Sequence, residues 1–269
     1  MEIGVMFWAG RDSLSELQKL GVESGQLGVG GGVPLTSAAA VEWREKIGNA
    51  NFSIATVVCA YNGEEYTDIA TVQRTVGFIP KETREERERR TLDASDFAAA
   101  LGVKSIACHI GFVPEDHSDP DYIAVRDMVR RICDRAEEHG QTFALETGQE
   151  PADTLLRFID AAECPNLKIN FDPANMILYG SGEPIEAFLK LAPHVVSVHA
   201  KDGDWPTAHG ALGRERPLGQ GSVGIPRFIA ALKQAGYTGS INVEREIEDQ
   251  AQRLVDIEMA VRLLKDLAV

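Results

Sequence analysis

Four stretches of this sequence end on side chains able to bind a metal ion or move a proton. They are "TFALE" closing on Glu146, "KINFD" on Asp172, "VSVH" on His199 and "SINVE" on Glu244. Each closes a run in which apolar and polar positions alternate, and a period of two is that of a β-strand. In 142–146, Phe143 and Leu145 lie opposite Thr142, Ala144 and Glu146. In 168–172, Ile169 and Phe171 lie opposite Lys168, Asn170 and Asp172. In 195–199, Val196 and Val198 lie opposite Val195, Ser197 and His199. In 240–246, Ile241 and Val243 lie opposite Ser240, Asn242, Glu244 and Glu246. An earlier run, "VKSIACHI", behaves alike, with Ile106 and Cys108 opposite Ala107 and His109. One strand ending this way is unremarkable. Consecutive strands doing so place several ionisable groups around one point.

Three carboxylates and an imidazole converging on one point repel each other unless a divalent cation neutralises them. Oxygen ligands with one nitrogen and no thiolate favour Mn²⁺, with Mg²⁺ or Co²⁺ as alternatives, over a structural zinc. The bland reading makes each residue a capped strand end or a surface ion pair. Four in register weaken that reading.

These groups need strands to carry them and helices to cover the strands. Strand patterns fall at 3–7, 25–29, 53–60, 103–110, 142–147, 167–172, 195–200 and 240–246. Helical patterns lie between them: one begins at Ser13, one at Thr36, and others cover 81–100, 121–139, 151–163, 184–192, 225–235 and 250–267. Strict alternation implies parallel β-α units, and eight of them predict an α/β fold, a closed (β/α)8 TIM barrel, as a single domain over 1–269. A doubly wound open sheet is the alternative. In a barrel, the apolar faces point at the helices, and the faces carrying Glu146, Asp172, His199 and Glu244 point inward. Strand C-terminal ends are where barrel active sites are built. The run "KETREERERR" (81–90) reads as a solvated helix face.

The 269 residues are 44% hydrophobic and 25% charged, with a net charge of −14. That field repels nucleic acid and anionic membrane, so neither is expected as a partner. Cys59, Cys108, Cys133 and Cys164 form no C-x-x-C pair and read as reduced residues. The N-terminal "MEIGVMFWAG" reads as a first strand rather than a leader, and no apolar run approaches the ~20 residues that span a bilayer. A cytoplasmic location is expected.

The motifs "ALETGQE" (144–150), "NFDPANM" (170–176), "VHAKD" (198–202), "LGQGSVGIPRFIAALKQAGYTG" (218–239) and "NVEREI" (242–247) resemble the xylose-isomerase-like TIM-barrel superfamily, in its sugar phosphate isomerase/epimerase group. The resemblance is strong over 100–269. It implies a metal held by Glu146, Asp172, His199 and Glu244, with Glu146 and Glu244 as the catalytic acid/base pair. It also implies a small sugar, sugar phosphate or sugar-derived keto compound as substrate and is compatible with a homo-oligomer. Two departures bear on the reaction. Asn175 stands where the ketose epimerases carry a histidine, and "HAKDGDWP" replaces their E-x-x-R loop.

The expected chemistry is proton transfer next to a carbonyl, through a metal-stabilised enediolate. His109, Asn175, Lys201, Trp8 and Glu246 are the candidate substrate-binding residues. Each has a plain alternative: a core histidine, a turn residue, a salt bridge, a barrel plug, and a partner for Arg245 or Arg214. The glycine-rich "GQGSVG" (219–224) is a weak candidate for binding phosphate, with Arg214 and Arg216 nearby. The closest rival function is a metal-dependent dehydratase of a polyhydroxylated ring ketone. An abasic-site endonuclease and a non-catalytic sugar-binding barrel are more distant.

Overall fold

The computed structural model describes residues 1–268. Its strands are β1 (Glu2–Trp8), β2 (Ser24–Val29), β3 (Ser53–Cys59), β4 (Ser105–Cys108), β5 (Thr142–Glu146), β6 (Leu167–Phe171), β7 (Val195–Ala200), β8 (Asp202–Asp204), β9 (Arg214–Arg216) and β10 (Ser240–Val243). All but β8 and β9 pair in parallel and close a barrel in the order β1-β10-β7-β6-β5-β4-β3-β2. This is the (β/α)8 TIM barrel. Around it lie α1 (Leu14–Lys19), α2 (Ser37–Ala50), α3 (Ile69–Thr75), α4 (Lys81–Leu101), α5 (Pro120–Glu138), α6 (Ala152–Ala162), α7 (Pro173–Tyr179), α8 (Pro184–Leu191), α9 (Ile225–Gln234) and α10 (Gln250–Ala268). No helix among the described residues is long and apolar enough to cross a membrane.

The apolar strand positions do what their parity requires. Phe7, Leu27, Val57, Ile106, Phe143, Phe171 and Ile241 are buried in the layer between barrel and helices. Each such side chain contributes about 1.5–3 kcal/mol on leaving water. Behind β6, Phe171 packs on Phe188 of α8 and Phe228 of α9, with centroids 5.5 and 5.8 Å away. That cluster fixes the strand that delivers Asp172. Inside the barrel a small plug of Met6, Val58, Ala107 and Ala144 meets Trp8 and Val196.

Four features depart from the sequence reading. A register shift lies between Ile169 and Asn170, whose β7 partners are Val195 and Ser197. Val195 therefore joins the helix-side core, and Val196 packs on the inner plug. Parity is restored by Ser197, so His199 still points inward. Helices α3 and α7 occupy stretches that carry no full helical period, and α7 puts Asn175 on its first turn rather than in an isolated turn. The strands β8 and β9 form an antiparallel hairpin between β7 and α9.

The run 81–90 is not merely a solvated face. Arg84, Arg87 and Arg90, spaced one turn apart, turn inward to loop carbonyls. Arg84 donates to Phe78 and Ile79, Arg87 to Gly77 and Asn62, and Arg90 to Gly30 and Val33. Their guanidiniums satisfy backbone acceptors that sequence alone gives no reason to pair.

Candidate metal centre and active site

The strand ends bring Glu146, Asp172, His199 and Glu244 together. All four are buried, and one ligand atom from each lies within 4.8 Å of every other. Bonds of about 2.0–2.6 Å to a hard divalent cation span up to about 5 Å from donor to donor, so one ion could bridge this cage. His199 Nδ1 is 3.1 Å from Glu244 Oε2, 3.2 Å from Glu146 Oε1 and 3.7 Å from Asp172 Oδ2. Yet neither Nδ1 nor Asp172 Oδ2 has a hydrogen-bond partner. Two orphaned buried polar atoms aimed at one point are what a metal ligand set looks like before the ion is counted.

Asp172 explains why its strand ends on a carboxylate. Oδ1 caps α7, accepting the N–H groups of Ala174 at 2.8 Å and Asn175 at 2.9 Å. That leaves Oδ2 for the cage. His199 is oriented from behind. Its Nε2 stands 2.6 Å from Gln26 Oε1, an acceptor, and 3.0 Å from Asn170 Nδ2; with Nδ1 turned to the carboxylates, the shorter contact takes the Nε2 proton. Asn170 and Ser197 continue this buried network, with Asn170 Oδ1 accepting from Gln26 Nε2 at 3.1 Å and from Ser197 Oγ at 2.5 Å.

The charges are strongly coupled. Burial pushes the His199 imidazole down, but Glu244 and Glu146 outweigh it and hold its pKa well above the usual range. The cage thus demands positive charge at Nδ1, as a proton or as a divalent cation. Burial raises the Glu146 carboxyl, and His109 and His199 reverse that, leaving it well below the usual range. Glu244 likewise falls to about 2, since His199 and Lys201 overcome its burial. Asp172 is raised, because its burial exceeds the pull of Lys201.

The five other candidates line one cavity of about 430 Å³ with Glu146 and Glu244. His109 follows β4 directly, and its Nε2 lies 3.2 Å from Glu146 Oε1. Asn175, on the first turn of α7, donates from Nδ2 to the same oxygen at 3.2 Å. Lys201 donates from Nζ to Glu244 Oε2 at 2.9 Å and to Glu246 Oε2 at 2.6 Å. Glu246 therefore pairs with Lys201 rather than with either arginine. Trp8 both borders the cavity and covers the inner plug.

The phosphate expectation for "GQGSVG" is overturned. The N–H groups of Gly219, Gly221 and Val223 all donate to the Asp202 carboxylate, at 2.9, 3.0 and 3.1 Å. Gly203 donates to it as well, at 2.9 Å. A Cβ on Gly221 would fall 2.3 Å from Asp202 Oδ1, so this close wrap requires glycine there. Arg216 pairs with Asp204 across the hairpin at 2.6 Å.

Sequence reasoning missed Gln26, Tyr66, Tyr179 and Glu215. Tyr179 lies one helical turn beyond Asn175, and a helix over 173–179 would have pointed to it. Tyr66 and Glu215 sit in segments without periodicity. Arg253 and Asp12, a buried pair 2.6 Å apart, tie α10 to the top of β1.

The chain's comparisons with known proteins agree with this architecture. A xylose isomerase domain protein from Planctomyces limnophilus is 40% identical, with a TM-score of 0.94 over 98% of this chain and 96% of that one. The probable 3-DHS dehydratase AsbF from Bacillus anthracis shares the fold at 16% identity, with a TM-score of 0.71 over 98% and 99% of the two chains. The 3-keto-D-glucoside 4-epimerase YcjR from E. coli does so at 17%, with a TM-score of 0.72 over 99% of each. The aligned regions cover 43% and 55% of the two curated relatives it matches, about half their length. The family model for xylose isomerase-like TIM barrels matches residues 14–267, and the chain belongs to that family.

Proposed function

We propose that this protein is a divalent-metal-dependent isomerase or epimerase of a sugar or sugar-derived keto compound. The observation that carries the reading is the placing of Glu146 and Glu244. Both are buried, both are held as carboxylates, and both lie within 3.2 Å of His199 Nδ1 on a cavity wall. The cavity size falls in the ordinary range for small-molecule sites. The fold shared with a 3-keto-D-glucoside 4-epimerase supports the same class of chemistry.

When bound by Glu146, Asp172, His199 and Glu244, a divalent cation, Mn²⁺ first with Mg²⁺ or Co²⁺ as alternatives, supplies Lewis-acid polarisation of the substrate carbonyl. The chain does the rest. One glutamate takes the proton from the carbon beside the carbonyl, and the other returns it. Return at the same carbon on the opposite face epimerises, and return at the neighbouring carbon isomerises. Positioned bases of this kind contribute about 10²–10⁴-fold. The Lys201 ammonium, hydrogen-bonded to Glu244, can hold a substrate oxygen as negative charge develops on it. Trp8 offers an apolar face to a sugar ring, and Asn175 can orient a hydroxyl.

A dehydratase is the second reading, and one observation favours it. His109 Nε2 faces Glu146 Oε1 at 3.2 Å, and against its burial that carboxylate pulls the imidazole pKa up. An imidazolium beside the base is a proton donor for a leaving hydroxyl. The probable 3-DHS dehydratase AsbF shares the fold.

Deuterium exchange from solvent into a panel of ketoses, keto-glycosides and cyclitol ketones tests both readings. Exchange next to the carbonyl without loss of water supports the isomerase or epimerase. Appearance of an ultraviolet-absorbing enone supports the dehydratase. A metal-loaded protein that does neither with any member refutes the proposal.

A further inference from the structure

Resting on the reading of this cavity as the substrate site, we infer that the substrate is uncharged. It is a polyhydroxylated carbonyl compound that bears neither phosphate nor carboxylate.

Proteins recognise anions with free cationic side chains, with guanidinium forks, or with backbone N–H groups at helix N-termini and glycine turns. Each device in the wall of this cavity already serves an internal carboxylate, and Arg11, in the cleft beyond Trp8 and Glu246, donates to Gln250 Oε1 and the Ile247 carbonyl. The cationic side chains of the lining are Lys201 and His109. The Lys201 charge is already balanced by Glu244 and Glu246 and that of His109 by Glu146, so either can donate to a substrate oxygen but neither brings net positive charge for an anion. The nearby Arg245 donates to Glu215 at 2.7 Å and to Asp256 at 2.7 Å. The first N–H groups of α7 are taken by Asp172. The glycine turn before α9 is taken by Asp202.

Five carboxylates line the cavity: Glu64, Glu146, Glu215, Glu244 and Glu246. Asp172 is a sixth in the adjoining cage. Even with a divalent cation added, carboxylates outnumber the positive charges. A phosphate dianion would enter a field of its own sign. A neutral polyol meets the opposite situation. Carboxylate oxygens accept its hydroxyl hydrogens, Tyr66 and Tyr179 supply further hydroxyl partners, and Trp8 supplies an apolar face.

Calorimetric titration of the Mn²⁺-loaded full chain tests this directly. The probes are D-fructose and D-glucitol against D-fructose 6-phosphate, D-glucitol 6-phosphate and D-gluconate. We expect a neutral probe to bind at least tenfold more tightly than its charged counterpart. The gap should narrow as salt rises, because screening relieves repulsion. Glu246→Gln removes one carboxylate and should narrow it as well, with the circular dichroism spectrum unchanged. A phosphorylated or carboxylated probe binding as tightly as its neutral partner overturns the inference, as does failure of both neutral probes to bind. The outcome is separable from the reaction proposed above. Neutral probes that bind, with no member of the carbonyl panel exchanging deuterium or losing water, would sink the reaction and leave this inference standing. Exchange confined to phosphorylated compounds would do the reverse.

Discussion

Lys201 and Glu244 form a buried ion pair, Nζ to Oε2 at 2.9 Å, on the wall of the candidate substrate cavity. The pair joins a candidate metal ligand to a candidate electrophile. Its two members should therefore be separable by experiment. Lys201→Met is expected to lower the rate of deuterium exchange by about 10²–10⁴-fold. Metal content should stay at one ion per chain, since Lys201 is not a ligand. Exchange kinetics beside elemental analysis would show the separation. Loss of the metal with the lysine would contradict it.

Gln26 reaches the cage through His199, directly and by way of Asn170. It accepts the Nε2 proton at 2.6 Å and so sets which nitrogen faces the carboxylates. Partners of this kind typically account for about 10–100-fold in metal affinity. Gln26→Leu should weaken Mn²⁺ binding by that factor while keeping the melting profile of a folded barrel. Competitive chelator titration measures it, and unchanged affinity would remove Gln26 from the positioning network.

Much of the cage was legible in the sequence because strands repeat every two residues. Glu146, Asp172, His199 and Glu244 each close an alternating run, and parity alone predicts a common rim. The bulge at β6 and β7 reversed Val195 and Val196 but spared His199, which lies after the reading frame recovers. What sequence could not show was the loops. Tyr66 and Glu215 reach the cavity from segments whose conformation is set by distant contacts. The "GQGSVG" turn looked like an anion cradle because it is one. Its anion is the chain's own Asp202, a partner that local spacing does not reveal. The charged run 81–90 misled for a similar reason, since the acceptors of Arg84, Arg87 and Arg90 come from other loops.

Asp202 is expected to be a stability residue rather than a ligand. Four backbone N–H groups converge on its buried carboxylate. Asp202→Ala leaves those donors unpaired, a cost of about 2–4 kcal/mol given the ~1.5–3 kcal/mol of hydrogen bonds to a charged group. Urea denaturation should show the midpoint falling. An unchanged midpoint would mean that water replaces the carboxylate at no cost.

Glu150 gives the stability a pH dependence. Burial lifts its carboxyl from 4.5 to about 7, and Oε2 has no partner. The folded state therefore holds a proton that the unfolded chain releases between those two values. Its contribution is full below about pH 4.5, declines as pH rises toward 7, and is flat above. Glu150→Gln cannot ionise, so its melting temperature should fall less between pH 5 and 7 than that of the parent. Parallel slopes for the two proteins would assign the dependence elsewhere.

The central claim is that four strand-end side chains hold one divalent ion. Elemental analysis after loading with Mn²⁺ and gel filtration tests it most directly, comparing the parent chain with His199→Gln. The expected result is one ion per parent chain and a small fraction of that in the variant. Both proteins retaining the same amount, or neither retaining any, would contradict it.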